Sequence, residues 1–101
     1  MKVRLSPRSK ADLEEIGEYI AIDSPMSAVA FVRKLRAACT KIGNMPSAYR
    51  ARSELLDGLR SSALKNYIIF FVIREDEVLV LRILHSARDI GAADFEPEGN
   101  A

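Results

Sequence analysis

Residues 67–84 read Tyr67-Ile68-Ile69-Phe70-Phe71-Val72-Ile73-Arg74-Glu75-Asp76-Glu77-Val78-Leu79-Val80-Leu81-Arg82-Ile83-Leu84, two apolar runs divided by four charged residues. Each run is rich in β-branched and aromatic residues and too short for a globular helix, so both predict strands, with Arg74 to Glu77 as the turn of a hairpin. Odd and even positions are apolar alike. Such strands call for burial on both faces, whereas an antiparallel sheet with one wet face would alternate. Upstream, Arg52 to Leu56 and Leu59 to Leu64 are shorter strand candidates flanking Asp57-Gly58, a strong two-residue turn signal.

Before these strands the period changes. Leu13, Ile16 and Ile20 lie on one face of a helix, with Asp12, Glu15 and Glu18 clustered elsewhere. Two starts are available to it, Ser6-Pro7 and a capping box of Ser9 with Asp12. Ser24-Pro25 stops this helix and opens a second, in which Ala28, Phe31, Val32, Leu35, Cys39 and Ile42 recur at helical spacing. Gly43-Asn44 suits a left-handed cap at its end. With almost nothing between them, the helices should form an antiparallel hairpin. Val3 and Leu5 alternate with charged residues as a short first strand would. The expected fold is therefore α+β, in the order β-α-α-β-β-β. An N-terminal strand and a helical hairpin pack on one face of a three- to four-stranded, mainly antiparallel sheet, followed by a short C-terminal segment. Residues 1–95 are expected to form one domain and residues 96–101 a flexible tail. Because two helices cover one face only, the C-terminal segment, a second copy or a partner protein must cover the other.

Composition narrows the class of function. The chain has 101 residues, 49% hydrophobic and 29% charged, an ordinary globular balance. Fifteen Lys and Arg against fourteen Asp and Glu give a formal net charge of +1, which excludes bulk attraction to nucleic acid or membrane. One Cys excludes a disulfide framework, and a metal site fails for want of His and Cys ligands. Cys39 lies on the apolar stripe of the second helix and belongs to the core. Residues Met1 to Leu5 lack the apolar run of a signal peptide and no stretch approaches a membrane span, so a cytoplasmic protein without membrane contact is expected. The charges are segregated all the same. Lys2, Arg4, Arg8 and Lys10 precede an acidic block from Asp12 to Asp23, and Arg33, Lys34, Arg36 and Lys41 then reverse the sign. Such blocks are either solvated helix faces or a local surface for an anionic partner.

Four residues carry candidate chemistry. His85, the only histidine, ends the last strand and is followed by Arg88; together they could serve as proton-transfer group and phosphate clamp. The plainer alternative has His85 capping the strand through local backbone and Arg88 paired with a carboxylate. Arg82 interrupts an apolar strand, and simple alternation places it on the face of Val78, Val80 and Leu84. A buried Arg needs a carboxylate, for which Glu54 and Asp57 are the candidates, or else it anchors a ligand or partner. Arg60, near the Asp57-Gly58 turn, could join the same cluster.

Several of these segments, taken in order, resemble the ParE/RelE toxin superfamily. Ala11-Asp12-Leu13-Glu14-Glu15-Ile16 through Tyr19-Ile20, then Ser24-Pro25, Ala28 and Phe31, is similar to its helical hairpin. Glu54 to Ser61 followed by Tyr67 to Phe71 continues the likeness, and Arg82-Ile83-Leu84-His85-Ser86-Ala87-Arg88-Asp89 resembles the terminal strand motif of the ParE branch. The resemblance spans roughly residues 3 to 95. It implies the toxin of a bacterial type II toxin–antitoxin pair that inhibits DNA gyrase by binding it, with no cofactor, no metal and no sequence-specific DNA contact of its own. It also implies a hetero-oligomer with a cognate antitoxin, a dimeric DNA-binding protein whose flexible tail wraps the hairpin and sheet. The implied target-binding residues are Arg60, Arg82, His85 and Arg88, and the implied antitoxin-binding residues are Tyr19, Phe31, Leu35 and Phe71. The RelE branch implies the alternative, a ribosome-dependent mRNA endoribonuclease using His85 and Arg88 as catalytic residues. Its enzymes carry an Arg after the aromatic that opens the third strand and a Tyr near the C-terminus. Here Ile68 follows Tyr67 and the last segment offers Phe95, departures that favour the non-enzymatic reading.

Overall fold

The computed structural model describes residues 1–95; the expected flexible tail, 96–101, lies outside them. The elements are β1 (Lys2–Leu5), α1 (Pro7–Ala21), α2 (Pro25–Ile42), β2 (Arg50–Ala51), β3 (Arg60–Leu64), β4 (Tyr67–Arg74) and β5 (Glu77–His85). Short 3-10 turns lie at Pro46–Ala48 and Ala92–Phe95. The sheet order is β1-β5-β4-β3-β2, with β1 parallel to β5 and the other pairs antiparallel. The α+β order expected from the sequence is the one observed, with β2 as a fifth, two-residue strand. Glu75 and Asp76 form the centre of the β4–β5 turn with φ of 48° and 65°. Left-handed backbone at both central residues matches the twist of the flanking strands.

Both helices open on serine caps. The Ser6 hydroxyl accepts from the Ser9 N–H at 3.0 Å with Pro7 in the first turn, and Ser24 does the same for Ser27 at 3.2 Å ahead of Pro25. The box expected of Ser9 and Asp12 does not form. The Ser9 hydroxyl instead donates to the Ser6 carbonyl at 2.9 Å, and Asp12 turns toward the sheet. Gly43 ends α2 with φ −61°, not in the left-handed region. A glycine is needed there for close approach: a Cβ would stand 2.3 Å from the Met1 carbonyl oxygen, where the N-terminal ammonium donates to the Gly43 carbonyl at 2.9 Å.

A β-bulge decides which side chain faces which core. Phe70 pairs with Arg82 but Phe71 pairs with Val80, so Leu81 is an extra residue on β5. Alternation is broken there. Val78, Val80 and Ile83 join the core under the helices with Leu13, Ile16, Leu35, Cys39, Ile42, Ile69 and Phe71. Arg82 and Leu84, opposite Phe70 and Ile68, belong to the second face, which corrects the placement of Arg82 beside Val78 and Val80. Cys39 is enclosed in the first core, and burial pushes its thiol up to about 11.

The second face has its own core of Leu59, Phe70, Val72, Leu79, Leu84 and Phe95, flanked by Leu55, Leu56 and Ile90. The C-terminal segment, one of the covers expected, supplies part of its lid. The Phe95 ring stands edge-on to Phe70 at 4.9 Å. Residues 52–59 supply the rest, and they are not the strand the sequence suggested. The Arg52 N–H donates to the Leu59 carbonyl at 2.7 Å and Leu55 N–H to Arg52 at 3.0 Å, which coils the segment over the sheet. Leu59 N–H donates to Leu56 at 3.0 Å around Gly58, whose φ is +81°. The Asp57-Gly58 turn is real, yet it folds this cover back onto β3 without joining two strands. Replacing Phe95 by Ala should therefore cost about 3 kcal/mol in urea unfolding and raise binding of the dye ANS, since it uncovers the second core. An unchanged midpoint would mean that the C-terminal turn does not seal this face.

Candidate functional site

Tyr67 opens β4 and His85 closes β5 directly across from it, so two rings meet at one end of the sheet. Their centroids are 5.1 Å apart at 78°, and the Tyr67 ring also lies 5.5 Å from that of Phe31 on α2. Tyr19 reaches in from α1 and is 72% exposed. With Ile20 and the β3–β4 turn residues Lys65 and Asn66, these side chains line an open hollow of about 700 Å³. Lys65 sits at φ 55°, a left-handed position that tightens the turn at the hollow's rim. The Asn66 carbonyl accepts from the Ser86 N–H at 2.7 Å, tying the rim to the end of β5. A smaller recess of about 230 Å³ adjoins it, where Asp12, Glu15 and Arg88 approach Tyr19, Tyr67 and His85.

Arg82 and Arg88 near this end are held by the chain itself. Arg82 grips Asp12 with two bonds, Nε to Oδ2 at 2.9 Å and Nη2 to Oδ1 at 3.0 Å. Its Nη1 donates to the Asp94 carbonyl at 3.2 Å. Hydrogen bonding to Asp12 raises the already high guanidinium value further, so Arg82 is a permanent cation. The expected partners Glu54 and Asp57 are not involved. Glu54 pairs with Arg52 at 2.7 Å, a bond that lowers its carboxyl, and it lies on the 52–59 coil. Arg52 in turn stacks its guanidinium 5.5 Å from the Phe70 ring centroid. Arg88 is ion-paired with Asp94, whose Oδ2 also accepts from the Gly91 N–H at 2.9 Å. The His85 Nδ1 accepts from the Ala87 N–H at 3.0 Å, which leaves Nε2 as the protonated nitrogen of the neutral ring. For His85 and Arg88 these bonds match the capping and pairing alternative rather than a poised acid–base pair.

Of the residues singled out in the sequence, the hollow brings together Tyr19, Phe31 and His85, with Arg88 in the recess beside them. Arg82 is buried on its own carboxylate. Arg60 lies opposite Phe71, four positions along β4 from Tyr67, and its Nη1 donates to the Tyr49 carbonyl at 2.7 Å, so it joins neither Arg82 nor the hollow. Leu35 and Phe71 are 0% exposed in the core under the helices and present no surface to a partner. Tyr67, Lys65 and Asn66 are additions. Tyr67 had a signal, as the one polar side chain in the apolar run 67–73; Lys65 and Asn66 had none, because a turn's sequence does not say which rim it completes. Asp12 also had a signal: it is spaced i, i+4, i+8 with Ile16 and Ile20, a carboxylate on an apolar stripe. Rings, one lysine and an imidazole edge thus surround an open hollow. Among the described residues no group of three His, Cys, Asp or Glu could hold a metal, and no helix is long and apolar enough to cross a membrane.

The family model described as "ParE toxin of type II toxin-antitoxin system, parDE" matches residues 3–90. No curated protein sequence matches the chain. A solved structure titled "Chromosomal ParDE TA system from P. aeruginosa" is similar with a TM-score of 0.74 at 20% identity, over 84% of this chain and 95% of that one. At that identity the likeness is one of fold, and it agrees with the helical hairpin on a mixed sheet described above.

Desolvation, with Tyr19 adding to it, raises the Tyr67 phenol above the ordinary tyrosine value. A raised folded value means the neutral phenol favours the fold. That contribution is fully present below the unfolded tyrosine value and lost as pH rises through the folded one. Spectrophotometric titration of the three tyrosines should show one late component that Tyr67→Phe removes. Three tyrosines ionising together would contradict the packing of Tyr67 against Phe31.

Proposed function

Because the chain belongs to the ParE toxin family of type II toxin–antitoxin systems, we propose that it acts by binding DNA gyrase without chemistry and is neutralised by a cognate antitoxin. Residues 1–95 are the acting unit in this reading, working in the cytoplasm beside its target. The observation that carries it is the state of the arginines. A ribonuclease of the RelE type needs cations free to hold a phosphodiester and a side chain free to move its proton. Arg82 is spent on Asp12, Arg88 on Asp94, and one imidazole nitrogen of His85 on the Ala87 N–H. What remains open is the ring-lined hollow, whose exposed Tyr19, His85 and Lys65 suit docking on a protein surface.

The antitoxin is a dimeric DNA-binding protein with a flexible tail, giving a hetero-oligomer. Tyr19 and Phe31 are the members of the expected antitoxin-facing set that reach the surface. A second foothold is the edge of β3. Strand β2 pairs only with Arg60 and Ser61, so among the described residues Ser62 to Leu64 have no strand on their outer side, and an extended tail can add there.

Purified chain is expected to suppress supercoiling by gyrase, with the antitoxin restoring it. Tyr19→Ala and His85→Ala, both at exposed positions, should each weaken inhibition by about tenfold while leaving the unfolding midpoint in place. Normal supercoiling at saturating toxin, together with ribosome-dependent mRNA cleavage abolished by His85→Ala, would replace this reading with the nuclease one.

A further inference from the structure

The outer face of the helical hairpin, pointing away from the sheet, carries a second feature that shares no residue with the ring-lined hollow. Gly17 stands close against α2, where a Cβ would lie 3.2 Å from a Val32 methyl, and the small Ala21 and Ala28 continue the close approach. The result is a trough of about 640 Å³ running between the helices. On α2, Met26, Val29 and Ala30 recur at helical spacing and form an apolar stripe distinct from the buried Leu35, Cys39 and Ile42. Met26 and Val29 of this stripe are 85% and 57% exposed, so two sizeable apolar side chains stand open near the hairpin tip.

The charges along the trough say what fits it. Its α1 rim carries Glu14 and Glu18, and its α2 rim carries Arg33 and Arg36. None of the four has an ion-pair partner among the described residues. One rim is acidic and the other basic, and such a face is complementary to itself under one rotation. A two-fold axis lying along the trough sets each α1 rim against the other copy's α2 rim, so Glu14 and Glu18 meet Arg36 and Arg33 twice over. An axis across the trough would set acid against acid and base against base, which is unfavourable. We infer that this face is the interface of a homodimer, in which two hairpins stack as a four-helix layer with their apolar stripes facing and their rims exchanging charge.

Size sets the strength. Helices of 15 and 18 residues, each about 10 Å wide and about 1.5 Å long per residue, offer a face on the order of 500 Å². A standard stable interface buries about 800 Å² per partner, so the dimer should be weak and concentration-dependent, with a dissociation constant in the micromolar range.

Sedimentation equilibrium of the full chain without its antitoxin, from about 1 to about 200 μM, should follow the mass from one chain to two. Val29→Asp, at an exposed site, should hold it at one chain throughout, with its urea midpoint unchanged. Glu18→Arg and Arg33→Glu should each weaken association by about tenfold or more, and the two together should restore it, because the reversed rims again complement one another. A single-chain mass over the whole range overturns the proposal, as does a dimer that Val29→Asp leaves intact. A chain that stays monomeric while Val29→Asp abolishes capture of the antitoxin would assign the trough to the antitoxin and likewise overturn it.

Discussion

Asp12 on α1 and Arg82 on β5 are held together by a two-pronged ion pair in which each residue is only 5% exposed. Taking both charges out of water is costly, and the pair persists because every acceptor site of the carboxylate near the sheet is used. The spare capacity of Oδ2 goes to the Ile83 N–H at 2.9 Å. That bond solves a specific difficulty. The first strand ends at Leu5 opposite Val80, so beyond this point β5 becomes a sheet edge with unpaired backbone groups. Ser6 takes the next two, with its N–H on the Val80 carbonyl at 2.9 Å and its hydroxyl on the Leu81 carbonyl at 3.0 Å. Thus the cap of α1 and its first inward turn replace the missing continuation of β1.

From the same guanidinium the C-terminal segment is positioned. Arg82 bonds to the Asp94 carbonyl, Asp94 holds Arg88, and the following residue, Phe95, closes the second core over Phe70. One buried cation therefore ties a helix, a strand edge and the chain's last described turn. The same commitments shape the exposed end of the sheet. With these arginines committed to carboxylates inside the chain, the end of the sheet displays rings and a lysine instead of a phosphate-binding cluster.

Much of this was legible in the sequence where periodicity speaks. The apolar runs at 67–73 and 78–84, the Ser-Pro helix starts and the stripe from Ala28 to Ile42 fixed the layers and their order. The demand for cover on the second face was legible too, but not its source. Residues 52–59 look like strand because Leu55 and Leu56 are apolar, yet they coil so that both can face the same sheet. The bulge at Leu81 left no mark in a run that is apolar on every side, and it moved Arg82 to the other face. Asp12 was hidden for another reason. In a block of acids it looked like one more solvated carboxylate; its spacing with Ile16 and Ile20 marked it as facing inward, but its partner lies 70 residues away, where no local rule names it. The hollow was half visible, as His85 and the helix aromatics, while its rim at Lys65 and Asn66 depends on tertiary placement alone.

The central claim is that the Asp12–Arg82 pair holds these elements as a unit. A double-mutant cycle in urea unfolding with Asp12→Ala, Arg82→Met and both together measures it most directly. Each single change leaves a buried charge without its partner and should cost about 3–5 kcal/mol. The double variant should cost clearly less than the two added, leaving a coupling energy of about 2 kcal/mol or more. Additive losses, or single variants as stable as the parent chain, would contradict the account.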